Sequence, residues 1–223
     1  MMTTLGIAVI GQAPRDDIAA MFAAALPSSV RIALRGCLDG LSDAAIDRLV
    51  PQDGDDTLYT RLRGERDVKI SKQAVIAATP ATLGLLRQDG ADALLLACTG
   101  EFPPMAGDAG VVFPSRILAG LVAGLLAQGR LGLLVPAPEQ IGKLMQKWRR
   151  PGVEVVAQAL LPSADDNAAA DAASRLAGQQ PDLIAMDCMS YRPETRTVVR
   201  QCAQAPTLLA ASATARVLQE LLA

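Results

Sequence analysis

The 223-residue sequence contains no histidine. That absence removes Ser-His-Asp and Cys-His catalysis, along with every His-ligated metal site. Chemistry must then fall to Cys, Asp, Glu, Lys, Arg, Tyr or the hydroxyl side chains. Aromatic residues are also scarce, at 3 %, so the core must be built from Ala, Leu, Val and Ile. Long apolar runs are missing too. The longest, "ILAGLVAGLLA" at 117–127, has 11 residues, too few to span a bilayer and suited to a buried helix. No strongly basic stripe exists: the net charge is −2, which argues against a nucleic-acid partner. The only Lys/Arg cluster, "KWRR" at 147–150, reads as a solvated helix end. Neither G-x-G-x-x-G after the first strand nor a P-loop is present, so no nucleotide cofactor is expected.

Cysteine is sparse and dispersed. Cys37, Cys98, Cys188 and Cys202 lie far apart in the chain, and without histidine they do not suggest a structural metal site. The opening "MMTTLGIAVIGQAPRDD" lacks a basic segment and turns polar quickly, so it reads as a first strand and not as a signal peptide. The expectation is therefore a cytoplasmic protein with no membrane association, whose thiols stay reduced and form no disulfide framework.

What is present is a regular alternation. Short β-rich apolar runs occur at 5–10, 30–34, 93–98, 110–113, 131–135, 153–158, 183–188 and 207–210, with helical patterns at 16–26, 42–49, 71–88, 115–127, 139–148, 167–179 and 212–222. Unalternated strands interleaved with helices predict an α/β fold with parallel sheets covered on both faces. The segment 57–71 differs: two alternating runs flank a glycine, as in a β-hairpin.

The chain also echoes itself. "LGIAVIGQAP" from Leu5 returns as "LGLLVPAP" from Leu131, 126 residues later, and "ADALLLACTGE" from Ala91 returns as "PDLIAMDCMSY" from Pro181, 90 residues later. The expected architecture is two pseudo-symmetric Rossmann-like or flavodoxin-like lobes with a cleft between them. The first lobe spans 1–114 with the hairpin as an insert, the second spans 115–208, and a helix at 209–223 packs back on the first lobe. Each lobe presents one cysteine at the carboxyl end of a strand, where open α/β sheets bind ligands. Two such lobes face to face would set Cys98 and Cys188 on opposite walls of the cleft. The bland alternative is that each is a small buried hydrophobe. Cys37 and Cys202 lack this symmetry, and Cys202, inside a helical pattern, is expected to be structural.

Other polar residues fall near these ends. Gln12 and Arg15 follow the first strand, and an arginine there can form a bidentate pair with a carboxylate. Ser115 is placed as the N-cap of a helix whose free N–H groups attract anions, with Arg116 beside it. Thr99 and Ser190 can donate to the same carboxylate. Asp187 and Glu101 adjoin the thiols and can tune their pKa, with Asp187 expected to point into the cleft. Simple helix starts and surface carboxylates explain these residues equally well.

Taken together, "GQAPRDD", "ACTGEF", "FPSRIL", "VPAPEQ", "KW" and "MDCMSY" resemble the AroM family. The paired strand-end cysteines resemble the two cysteine motifs of the aspartate/glutamate racemase superfamily, which includes maleate isomerases and arylmalonate decarboxylases. The resemblance spans nearly the whole chain. It implies that Cys98 and Cys188 are acid/base thiols of a cofactor-independent racemase or isomerase acting on a small carboxylate. The sequence departs from the racemase pattern in three places. Gly11-Gln12-Ala13-Pro14-Arg15 replaces an acidic Ser/Gly-rich turn, Thr99 follows the first cysteine where racemases often have Asn, and Met189-Ser190 follow the second in place of Thr-His. A ligand-binding or regulatory protein without turnover, and a single-cysteine decarboxylase, remain open alternatives. A homodimer is the default assembly.

Overall fold

A computed structural model describes residues 2–223. The chain forms two compact units, one comprising the residues up to Pro114 together with Ala215–Ala223, the other Ser115–Thr214.

The first unit is organised around strand β1 (Thr3–Val9), β2 (Val30–Gly36), β5 (Ala93–Ala97) and the short β6 (Val111–Val112). These form one parallel sheet in the order β2-β1-β5-β6. Helix α1 (Asp16–Ala25) joins β1 to β2, and α3 (Lys72–Gln88) leads into β5. Between β2 and α3 lie the four-residue α2 (Asp43–Ile46) and an antiparallel hairpin of β3 (Thr57–Arg61) and β4 (Asp67–Ser71). The hairpin is a separate two-stranded sheet. Its Arg63 Nε reaches back to donate to the Ala13 carbonyl at 2.5 Å, beyond the end of β1.

The second unit contains most of helix α4 (Pro114–Leu125), β7 (Gly129–Val135), α5 (Ile141–Trp148), β8 (Val153–Ala159), α6 (Asp166–Ala177), β9 (Leu183–Met186), α7 (Pro193–Ala203) and β10 (Thr207–Leu209). Helix α8 (Ala210–Leu222) begins here and ends in the first unit. Its parallel sheet has the order β10-β9-β7-β8.

The sequence echo is a structural equivalence down to register. In the first sheet Leu5 pairs with Ala93; in the second Leu131 pairs with Leu183, which are the same two offsets. The Leu-Gly repeat has a steric cause. A Cβ on Gly6 would lie 2.8 Å from Ala91 Cβ and 2.8 Å from Leu94 Cδ2, and one on Gly132 would lie 3.1 Å from Pro181 Cβ and 3.3 Å from Ile184 Cγ1. Ala91 and Pro181 are equivalent residues, as are Leu94 and Ile184. The shared aspartate has a cause as well. Asp92 Oδ2 accepts the Thr4 N–H at 2.8 Å, and Asp182 Oδ2 accepts the Arg130 N–H at 2.7 Å. Each carboxylate satisfies a backbone donor at the start of the central strand that no ladder partner reaches.

Several expectations differ in detail. The helix expected at 42–49 is a single turn; Ser42 caps it by accepting from Ala45 N–H. Helix α7 adds to the helices named from the sequence, and it accounts for the helical pattern around Cys202. Cys202 lies on α7 and is exposed, so it contributes no core packing. Ser115 is not an N-cap. Pro114 occupies the first helical position of α4, where its fixed φ and missing N–H cost nothing, and Ser115 falls inside the first turn. The "KWRR" segment is not a solvated end: Trp148 is buried and Arg150 donates to the carbonyls of Val122 and Leu126.

Candidate functional site

In the first unit the chain leaves β5 at Ala97 and presents Cys98, which is 8 % exposed. It is a member of the buried apolar cluster that also contains Leu58 of the hairpin, with Phe102 packed against it. The Gly100 N–H donates to Cys98 Sγ at 3.3 Å. This contact depends on glycine: a Cβ at position 100 would lie 3.3 Å from that sulfur and 3.1 Å from Leu58 Cδ2. Thr99 is buried beside the thiol, while Glu101 is exposed. Cys37, equally buried in the same cluster, is packed 3.7 Å from Thr79 Oγ1, and burial pushes its thiol pKa up despite that contact. It is a protonated core residue.

Gln12 and Arg15 sit in the turn that follows β1. Gln12 is buried and its Nε2 donates to the Leu41 carbonyl at 3.3 Å. Arg15 is only 4 % exposed, which requires a partner for its charge. Asp17 supplies it: Nε and Nη2 donate to Oδ1 and Oδ2 at 2.8 and 2.7 Å. Burial raises the Asp17 pKa, but the Arg15 bonds and charge outweigh it and hold the carboxyl below its usual range. The arginine is thus held rigidly, with its fork shared by a carboxylate of its own helix.

In the second unit the chain leaves β9 at Met186. Asp187 N–H still donates to Leu134 O at 2.9 Å, so extended pairing with β7 continues one residue further. Cys188 follows, 7 % exposed, and the Ser190 N–H donates to its Sγ at 3.4 Å. The adjacent Tyr191 is buried, with its hydroxyl donating to Leu160 O at 2.6 Å. The two thiols therefore share a local motif. Each lies just past the carboxyl end of the equivalent strand, and each accepts a backbone N–H from the residue two positions on.

Asp187 is the main surprise. Expected to point into the cleft, its side chain is fully buried and turned to helix α5. Its Oδ2 accepts both the Trp148 indole N–H at 2.8 Å and a Lys147 Nζ–H at 3.2 Å. Lys147 Nζ lies 5.1 Å from the centroid of the Trp148 ring, within cation–π range. Sequence reasoning missed Lys147 and Trp148. The available signal was that the chain's single tryptophan lies in its only basic cluster, while an aspartate at a buried strand end demands a donor. Ser115 is buried and Arg116 exposed in the first turn of α4. Among the described residues no cluster of three or more Cys, Asp or Glu side chains is arranged to hold a metal ion. Among the described residues no helix is long and apolar enough to cross a membrane.

A profile described as AroM protein matches residues 5–222. The chain belongs to the AroM family. No curated protein matches it. Among solved structures, a glutamate racemase from Bacillus anthracis is 14 % identical, with a TM-score of 0.63 over 99 % of this chain and 81 % of its own. A maleate isomerase from Pseudomonas putida is 16 % identical, with a TM-score of 0.59 over 99 % and 92 %. An arylmalonate decarboxylase is 13 % identical, with a TM-score of 0.58 over 95 % and 88 %. At these identities the likeness establishes a shared fold, so this AroM family member has two parallel α/β lobes of the Asp/Glu racemase kind.

Proposed function

We propose that this AroM family protein is a cofactor-independent racemase or isomerase in which Cys98 and Cys188 act as acid and base on a small carboxylate. The observation that carries the reading is the matched pair of strand-end thiols. Two lobes with the same register each place one cysteine past the equivalent strand, and each sulfur receives a backbone N–H at 3.3 or 3.4 Å. A backbone donor to sulfur favours the thiolate, against the burial of both thiols, which disfavours it. Structural neighbours that include a glutamate racemase and a maleate isomerase support the same reading.

The reaction needs no redox partner. One thiolate takes the proton from the carbon beside the ligand's carboxylate, and the electron pair delocalises into that carboxylate as an enediolate. The other thiol then returns a proton to the opposite face. General acid–base catalysis of this kind contributes roughly 10²–10⁴-fold. Gln12, Arg15, Thr99, Ser115, Arg116 and Ser190 are the proposed carboxylate-binding groups. Arg15 is the strongest, because Asp17 already holds its guanidinium in place.

The test is solvent deuterium exchange, followed by NMR, into a panel of amino acids, hydroxy acids, dicarboxylates and cyclic imides. Wild-type protein should exchange a carbon-bound proton of at least one member and invert that centre. Cys98→Ser and Cys188→Ser should each abolish inversion, because a hydroxyl is a far poorer base at neutral pH. Each single variant should still exchange the proton on its intact face. Release of carbon dioxide that depends on one cysteine alone would replace the reading with a decarboxylase. Binding without exchange or decarboxylation would replace it with a ligand-binding protein.

A further inference from the structure

Asp187 occupies an expensive position. A fully buried carboxylate must be matched by donors, and an apolar residue would pack there without that cost. The matching is specific and one-sided: Trp148 and Lys147 converge on Oδ2, Oδ1 is buried with no hydrogen bond of its own, and the Lys147 side chain is itself only 7 % exposed. The other basic residues at this helix end turn elsewhere, Arg150 to the carbonyls of Val122 and Leu126, and Arg149 to the exterior. Along an extended segment successive side chains alternate in direction. Asp187 is thus anchored to α5 on one side while Cys188, the next residue, projects to the other. The first lobe has nothing comparable, since Ala97 precedes Cys98.

We propose that Asp187, clamped by Lys147 and Trp148, is a positioning residue for Cys188. The clamp holds residues 187–190 in the conformation that brings the Ser190 N–H to Cys188 Sγ, and it places a balanced pair of charges one residue from the thiol. The two thiols are consequently unequal: one has an ionic support and the other lies within an apolar cluster. This inference rests on Cys188 being an acid/base thiol, as proposed above.

The test uses the full chain and reads the thiol without turnover. The ultraviolet absorbance of the thiolate is titrated against pH, and the difference between each protein and its Cys188→Ser counterpart isolates this sulfur. Asp187→Asn leaves the Lys147 ammonium unbalanced and should move the Cys188 midpoint to lower pH, raising the thiolate proportion about threefold or more below the midpoint, equivalent to half a unit. Lys147→Met leaves the Asp187 carboxylate unbalanced and should move it the other way, while Lys147→Arg should restore the wild-type midpoint. The Cys98 difference titration should not move in any of the three. A loosened structure shifts both variants alike, so shifts of opposite sign support the positioning role. Shifts of the same sign, or none, overturn it. If Asp187→Asn does not fold, the Lys147→Met and Lys147→Arg pair decides by the upward shift and its reversal. Opposite shifts in a protein that exchanges no substrate proton would leave the clamp standing and remove the acid/base reading. Cys188-dependent exchange with an unmoved midpoint would do the reverse.

Discussion

Three single residues decide how much of the site is preorganised. Gly100 allows its own N–H to approach Cys98 Sγ, and Gly100→Ala would bring a methyl into contact with that sulfur and Leu58. Activity should fall while stability changes less, and kcat compared with thermal midpoint on the same samples checks this. Arg15 is a fork held by Asp17. Arg15→Lys keeps the charge but loses the planar geometry, so calorimetry with the best ligand should show weakening by about 1.5–3 kcal/mol. Unchanged affinity would shift carboxylate binding to Ser115 and Arg116. Asp17 also makes a pH prediction. Its folded pKa lies below the unfolded aspartate value of about 3.9, because the Arg15 contacts outweigh the effect of burial. Its contribution to stability is therefore present above that unfolded value and lost as the pH falls through the folded one. Asp17→Asn should flatten this part of the acid limb of the stability profile, measured by denaturation between neutral pH and pH below about 4.

At the scale of elements, the lobes test one another. Gly6 and Gly132 do the same work, but the space beside Gly6 is tighter, 2.8 Å against 3.1 Å to the nearest atom of a new Cβ. Gly6→Ala should destabilise by about 1–3 kcal/mol, the range for forced overpacking, and Gly132→Ala by less; urea titration gives both. The alternation of strands and helices, the hairpin and the internal echo could be read from sequence because they depend on local pattern and turn chemistry. The strand-end placement of Cys98 and Cys188 could be read for the same reason. The Asp187 clamp could not. It joins residues 39 and 40 positions apart, and no periodicity within α5 reveals that its last turn serves a strand end. Helix ends were the other difficulty: Ser115 has the chemistry of a cap, but Pro114 took the first helical position.

For the whole molecule, sheet order and register repeat in the two units, and the halves differ in what surrounds each thiol. The first has the hairpin and an apolar setting for its thiol; the second has the clamp. None of the four cysteines is in a disulfide, so a reductant should leave the thermal midpoint unchanged, as scanning calorimetry with and without it would show.

The membership of Ala215–Ala223 in the first unit has a consequence for synthesis. A ribosome releases residues in order, and domains ordinarily fold as they emerge. Here the amino-terminal unit cannot acquire its last residues until the second unit has been translated in full. Between those moments the nascent first unit carries an unfilled place for residues 215–223, so its maturation waits for their synthesis and is not set by its own emergence.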